Sequence, residues 1–115
     1  MLPIKNRLKH KADFEVIFAK GYKINGAGLG LRFGKRYKPD VPSRFGFVVG
    51  TKVSKEAVTR NRLRRQMRES VRLLIGRVPV GYDFAFIVFP EGRDLKFAEI
   101  KEWVERLLLK TGLMK

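Results

Sequence analysis

Arginines at helical spacing are the residues best placed to do chemistry in this chain. Between Lys52 and Arg72 lie Lys52, Lys55, Arg60, Arg62, Arg64, Arg65, Arg68 and Arg72, against Glu56 and Glu69 alone. On a wheel turning about 100° per residue, Leu63, Met67, Val71 and Leu74 fall on one side. Arg64, Arg68 and Arg72 climb beside them, Asn61 and Arg65 extend the same face, and Arg62 lies further round. The residue types favour a helix over this stretch, with Ser54 or Thr59 as its cap. The result is an amphipathic helix whose wet side is a guanidinium surface. A guanidinium stays charged and offers a planar fork of donors that matches phosphate oxygens bidentately and stacks on bases. A solvated helix face normally mixes charge signs, and this one is broken only by Glu69.

A second set of candidates lies near the start. Phe14, Ile17 and Phe18 recur at helical spacing after Asp13, whose carboxylate suits the N-terminal end of a helix dipole, and Gly21 ends the segment. Two phenylalanines on a helix belong to a core or to a surface on which bases stack.

Conventional protein catalysis has few candidates. His10 is the one histidine and lies in a basic stretch with Lys5, Arg7, Lys9 and Lys11; there is no cysteine. Ser43, Ser54 and Ser70 have no histidine in a recognisable motif, and Asp40, Asp83 and Asp94 are scattered among turns and strand ends. Neither a nucleophile with its base nor a convergent carboxylate set for two-metal hydrolysis can be assembled from this pattern. Protein-side metal ligands stay undefined.

The elements that must carry these residues follow from periodicity. Residues 1–11 are expected to be a mobile basic arm. Tyr22–Ile24 is a short strand before the Gly26-Ala27-Gly28 turn. Leu29, Leu31 and Phe33 alternate with Gly30 and Arg32, the signature of a half-buried strand with Arg32 on the opposite face. Gly26, Gly28 and Gly30 fit a bulge or a close backbone approach. A basic loop, Gly34 to Ser43, precedes a second alternating strand over residues 44–51. Beyond the basic helix, Gly76, Pro79 and Gly81 punctuate a loop. Tyr82 to Phe89 is almost continuously apolar, as in a central strand covered on both faces. Phe97, Ile100, Val104, Leu107 and Leu108 define a last amphipathic helix that also carries Trp103. The order α-β-β-β-α-β-α reads as an α+β two-layer sandwich, one mixed sheet with helices mainly on one face, in a single domain of 115 residues.

The charge balance restricts the partner. Twenty-six Lys or Arg against 11 Asp or Glu give a formal charge of +15. Such an excess is costly through self-repulsion unless a polyanion offsets it, so nucleic acid leads and an anionic membrane surface follows. No apolar run approaches the roughly 20 residues of a membrane span. The first residues lack a continuous apolar region, so no signal peptide is expected.

Arg60-Asn61-Arg62-Leu63-Arg64-Arg65-Gln66-Met67-Arg68-Glu69 resembles the signature of the protein component of bacterial ribonuclease P, with Arg64 where lysine is common. Arg7-Leu8, Asp13-Phe14, Phe18, Lys20 and Gly21 match the N-terminal pattern of that family, and Thr51-Lys52-Val53 through Ala57-Val58 is similar without the glycine many members carry. The resemblance implies an unusual left-handed strand-helix-strand crossover, where sequence pattern alone favours a right-handed one. It implies an accessory subunit of the endoribonuclease that matures tRNA 5′ ends, cytoplasmic, with hydrolysis performed by an RNA subunit that requires Mg²⁺. Partners would be that catalytic RNA and precursor tRNA, with no obligate protein partner. Arg60, Asn61, Arg62, Arg64, Arg65 and Arg68, with Lys52 and Lys55, would contact the RNA subunit. Phe14, Phe18 and Arg32 would hold the single-stranded 5′ leader.

Three other readings fit the composition. A ribosomal protein or RNA chaperone would bind RNA without stimulating precursor cleavage. A DNA regulator would read base edges from the same helix, though such helices usually mix Asn, Gln and Ser with Arg. A protein-only nuclease would cleave without any RNA partner.

Overall fold

The computed structural model describes residues 2–114. The chain forms α1 (Lys11–Lys20), β1 (Tyr22–Asn25), β2 (Leu29–Lys35), β3 (Arg44–Val49), α2 (Ala57–Leu74), β4 (Tyr82–Val88) and α3 (Phe97–Lys110), with short 3₁₀ turns between some of them. This is the α-β-β-β-α-β-α order that the periodicities predict. The four strands make one mixed sheet in the order β1-β2-β4-β3. β1–β2 and β2–β4 are antiparallel, and β3–β4 is the parallel pair bridged by α2.

Register explains the layering. Leu31 faces Phe86, Phe33 faces Phe84, and Phe45 and Phe47 flank the same two rings from β3. Side chains two apart share a face, so these form one apolar surface. Leu63, Met67 and Val71 of α2 and Ile100, Val104, Leu107 and Leu108 of α3 close over it, all fully buried. At α3's start, the Lys96 backbone N–H donates to Glu99 Oε1 at 3.0 Å, satisfying one orphan donor of the first turn.

α1 lies on the other face, where Phe14, Ile17 and Leu8 pack on Ala85. The expectation of helices mainly on one face therefore holds for two of the three. Gly46 makes α1's approach possible: a Cβ there would come within 2.3 Å of the Phe14 ring. β4 is correspondingly buried on both faces through Asp83, Phe84, Ala85 and Phe86, while Ile87 is half-buried. Gly28, at φ +86°, turns the β1–β2 hairpin against Gly92, the close approach expected of this glycine cluster.

The N-terminal segment differs from the expected mobile arm, of which Met1 lies outside the described residues. Leu2 and Leu8 are buried, and Asn6 Nδ2 donates to the Ser43 carbonyl at 2.8 Å. Arg7 bridges Phe45 in parallel register, the Leu8 N–H donates to Phe45 O at 2.9 Å, and Arg7 Nε donates to Leu2 O at 2.8 Å. The segment thus covers the outer edge of β3, an edge that would otherwise present unpaired backbone groups. Leu2 and Leu8 anchor it, while Lys5, Lys9 and His10 are exposed.

Candidate nucleic-acid interface

α2 begins at Ala57, later than the basic run itself. Neither expected cap holds: the N-cap is Glu56, without a side-chain cap bond, while Ser54 Oγ accepts from the Glu56 N–H at 3.1 Å in the entry turn and Thr59 sits within the first helical turn. The buried stripe then turns the guanidinium groups toward solvent, and several are tied back to the protein. Arg60 donates to Ser54 O at 3.0 Å. Arg62 donates to Gln66 Oε1 at 3.0 Å and to Arg93 O at 3.3 Å. Arg64 donates to Asn61 Oδ1 at 2.9 Å and to Val49 O at 3.1 Å, linking α2 to the end of β3. The Arg68 guanidinium lies 5.9 Å from the centroid of the Phe47 ring. Arg65, Lys52 and Lys55 are exposed and carry no such tie among the described residues. Arg72, on the same flank, is held by Glu69, whose carboxylate it keeps below the ordinary range through that hydrogen bond.

This arrangement offers a polyanion a partly ordered surface. Tethered guanidinium groups have already lost rotamer freedom, which lowers the entropy cost of a phosphate contact. The free charges of Arg65, Lys52 and Lys55 add long-range attraction.

The opposite sheet face gathers the second candidate set. The Phe14 and Phe18 rings are stacked, centroids 6.4 Å apart and 20° between planes. Phe14 is half-buried over Gly46, and Phe18 is exposed. Arg32 sits mid-strand in β2, across from Lys23 and Ala85. Its guanidinium lies 5.4 Å from the Phe18 centroid and donates to Phe18 O at 3.4 Å. Half-buried Val48 and Ile87 continue the surface toward the far end of the sheet. Phe14, Phe18 and Arg32 thus form one cluster, about 18 residues apart in sequence at its widest but joined by α1 lying across β2 and β4. An aromatic pair beside a cation matches unpaired bases and their phosphates.

Sequence reasoning overlooked what holds α1 in place. Arg44 Nε and Nη2 grip Asp83 at 2.8 and 2.7 Å, and Nη1 reaches Asp13 on α1 at 3.2 Å. Arg36 approaches Asp83 at 3.8 Å. The hydrogen bond to Asp83 raises the Arg44 pKa further, against the opposing effect of burial. The available signal was Asp83 itself, a lone carboxylate opening an otherwise apolar central strand. His10 precedes α1, exposed and without a capping bond. No group of three or more His, Cys, Asp or Glu among the described residues is arranged to hold a metal ion. Asp13 and Asp83, which do converge, are occupied by Arg44.

Fold and surfaces together define a class: a small, strongly basic α+β protein with a guanidinium helix on one sheet face and an aromatic–cationic cluster on the other. The family pattern of Ribonuclease P matches residues 2–112, and the chain belongs to that family. It is 40% identical over 116 residues to the ribonuclease P protein component of Synechococcus sp. (strain JA-2-3B'a(2-13)), covering 99% of this chain and 87% of that one. It is 36% identical to the Symbiobacterium thermophilum protein component, over 94% and 92% of the two chains. Among solved structures, the RNase P protein from Thermotoga maritima superposes with a TM-score of 0.79 at 30% identity, covering 90% of this chain and 96% of that one. The Staphylococcus aureus RNase P protein shares the fold at TM-score 0.85 and 24% identity, over 96% and 98% of the chains.

Proposed function

We propose that this chain is the protein subunit of a ribonuclease P, binding a catalytic RNA through α2 and the 5′ leader of precursor tRNA through Phe14, Phe18 and Arg32. The observation that carries the reading is the placement of the family signature. Its polar residues Arg60, Asn61, Arg62, Arg64, Arg65 and Arg68 lie away from the buried Leu63 and Met67 of α2, and α2 covers the sheet face opposite the aromatic cluster. One protein can then contact two RNAs at once and lower their mutual repulsion. Counterion release supplies much of the affinity for each, so both associations should weaken steeply with salt.

Hydrolysis in this reading belongs to the RNA subunit with its Mg²⁺, and the protein contributes binding and orientation. α2 docks the RNA subunit, Phe18 stacks an unpaired leader base, and Arg32 neutralises a neighbouring phosphate. The setting is the cytoplasm, where precursor tRNA is made; no helix among the described residues is long and apolar enough to cross a membrane.

The test is cleavage of precursor tRNA by a bacterial ribonuclease P RNA at low Mg²⁺, with and without the protein. Stimulated cleavage at the mature 5′ end supports the reading. RNA binding with unchanged cleavage across Mg²⁺ concentrations favours a ribosomal or chaperone role. Cleavage by the protein without any RNA subunit would show a protein-only nuclease.

A further inference from the structure

We infer that the flank of α1 facing away from Phe14 and Phe18 is a second contact for single-stranded RNA, taking the part of the leader that continues past the aromatic cluster. An open groove of about 1010 Å³ lies there, between α1, the start of β1, the β2–β3 loop and the C-terminal residues. It is at the top of the size range of small-ligand pockets, roughly 300–1,000 Å³, and it is partly open to solvent, which leaves room for a chain segment to enter and leave.

Its composition points to RNA. Tyr37 is 99% exposed and Tyr22 is 71% exposed, a display of aromatic surface that folding alone does not require. The Tyr22 ring is steadied by Phe33 at 5.4 Å between centroids, leaving its other side to solvent. Five cations line the groove against two carboxylates, Asp13 and Asp83. Both carboxylates are already engaged by Arg44, and Asp83 also by Arg36. Lys20, Lys35 and Lys38 are exposed and have no acidic partner among the described residues. Phosphate would find unspent positive charge, and bases would find two tyrosine faces, the combination that holds single strands with little sequence preference.

Continuity selects the leader over other RNA. Lys23 pairs with Arg32 across β1 and β2, and Lys20 closes α1 one turn beyond Ile17, so cations lead from the Phe18–Arg32 cluster round the end of α1 to the groove. The α2 surface assigned to the catalytic RNA lies across the sheet. This inference deepens the leader reading above and rests on it.

The test measures binding of the reconstituted holoenzyme to precursor tRNAs with leaders of roughly 4 and roughly 16 nucleotides, the span of single-strand site sizes per binding fold. The wild type should bind the long leader about tenfold more tightly, the worth of one or two stacked bases. Tyr37→Ala/Lys35→Gln/Lys38→Gln, which touches no core residue, should abolish that gain and leave short-leader binding unchanged, and Tyr22→Ala should act in the same direction. A wild type indifferent to leader length, a triple variant that keeps the gain, or equal losses on both leaders would overturn the inference. Phe18→Ala reports separately: unchanged short-leader affinity there would remove the underlying leader reading itself.

Discussion

Arg44 joins Asp83 by two hydrogen bonds at 2.8 and 2.7 Å, across strands that are 39 residues apart in sequence. Its remaining nitrogen reaches Asp13, one residue before Phe14. The pair therefore fixes the angle at which α1 presents its aromatic side to solvent. Arg44→Ala leaves the buried Asp83 with only the longer Arg36 contact. Side-chain exposures of 18% and 12% place the pair near the buried limit, where losing one partner costs about 3–5 kcal/mol, so a loss of about 2–3 kcal/mol is expected here. Urea unfolding gives the value, and Arg44→Met/Asp83→Asn should recover part of it by removing the orphaned charge. A melt unchanged in Arg44→Ala would mean that the network does not stabilise the fold.

Gly46 sets the depth to which Phe14 sinks. A Cβ at this position would meet the ring at 2.3 and 2.6 Å and the Leu8 Cβ at 3.2 Å. Gly46→Ala should force α1 outward and destabilise by about 1–3 kcal/mol, the usual cost of overpacking. Phe14→Leu combined with Gly46→Ala should restore part of the loss, so the double-mutant cycle should show a coupling energy well outside additivity. Additive effects would mean that the ring and the glycine do not share the space.

The elements are legible where large apolar side chains recur with a regular period. β2 and β3 show their faces by alternation, α2 and α3 by their apolar stripes, and β4 by its unbroken apolar run. The N-terminal segment carries no such pattern, because its charges outnumber its anchors. Leu2, Asn6 and Leu8 are separated by exposed or half-buried residues and follow neither period, and their burial depends on the β3 edge they cover. The side of the sheet that α1 takes was equally hidden, since its burial rests on Ile17, a half-buried Phe14 and a glycine in another strand. Arg44 and Asp83 meet only because β4 inserts between β2 and β3, a strand order that no local pattern encodes. The candidate site divides in the same way. The basic face of α2 is local and can be drawn from a wheel, whereas the contact of Arg32 with Phe18 is tertiary: the resemblance and a count along the strand put both residues in one set without predicting that they touch.

Arg64 and Arg65 are neighbours with different duties. Arg64 is bound to Asn61 and to the Val49 carbonyl, while Arg65 projects freely. Arg65→Ala should leave the melting temperature unchanged and reduce the slope of log K against log salt for the RNA subunit by just under one, the share of a single phosphate contact. Arg64→Ala should lower both RNA affinity and stability, the latter by about 1 kcal/mol for the lost interelement hydrogen bond. Salt titrations paired with thermal melts separate the two, and identical behaviour of the variants would show that the tether to β3 has no energetic weight.

Glu69 is the single acid on the α2 surface between Arg60 and Arg72, and Arg72 holds it. The hydrogen bond from Arg72 lowers the Glu69 pKa in the folded protein, so the pair is fully charged at neutral pH. A carboxylate whose folded pKa is depressed contributes stability above its unfolded value and loses it as pH falls through the lowered one. Acidification through that lowered value should release Arg72 from its partner. Glu69→Gln does the same at neutral pH: it removes one negative charge and frees a guanidinium to meet phosphate. Affinity for the RNA subunit should therefore rise, and the salt slope should steepen by about one contact. Equilibrium binding across a salt series checks this directly. Tighter binding would show that Glu69 tempers the basic face, holding Arg72 in reserve. Weaker binding would show the opposite role, in which Glu69 orients Arg72 toward its phosphate and the ion pair is part of the recognition surface.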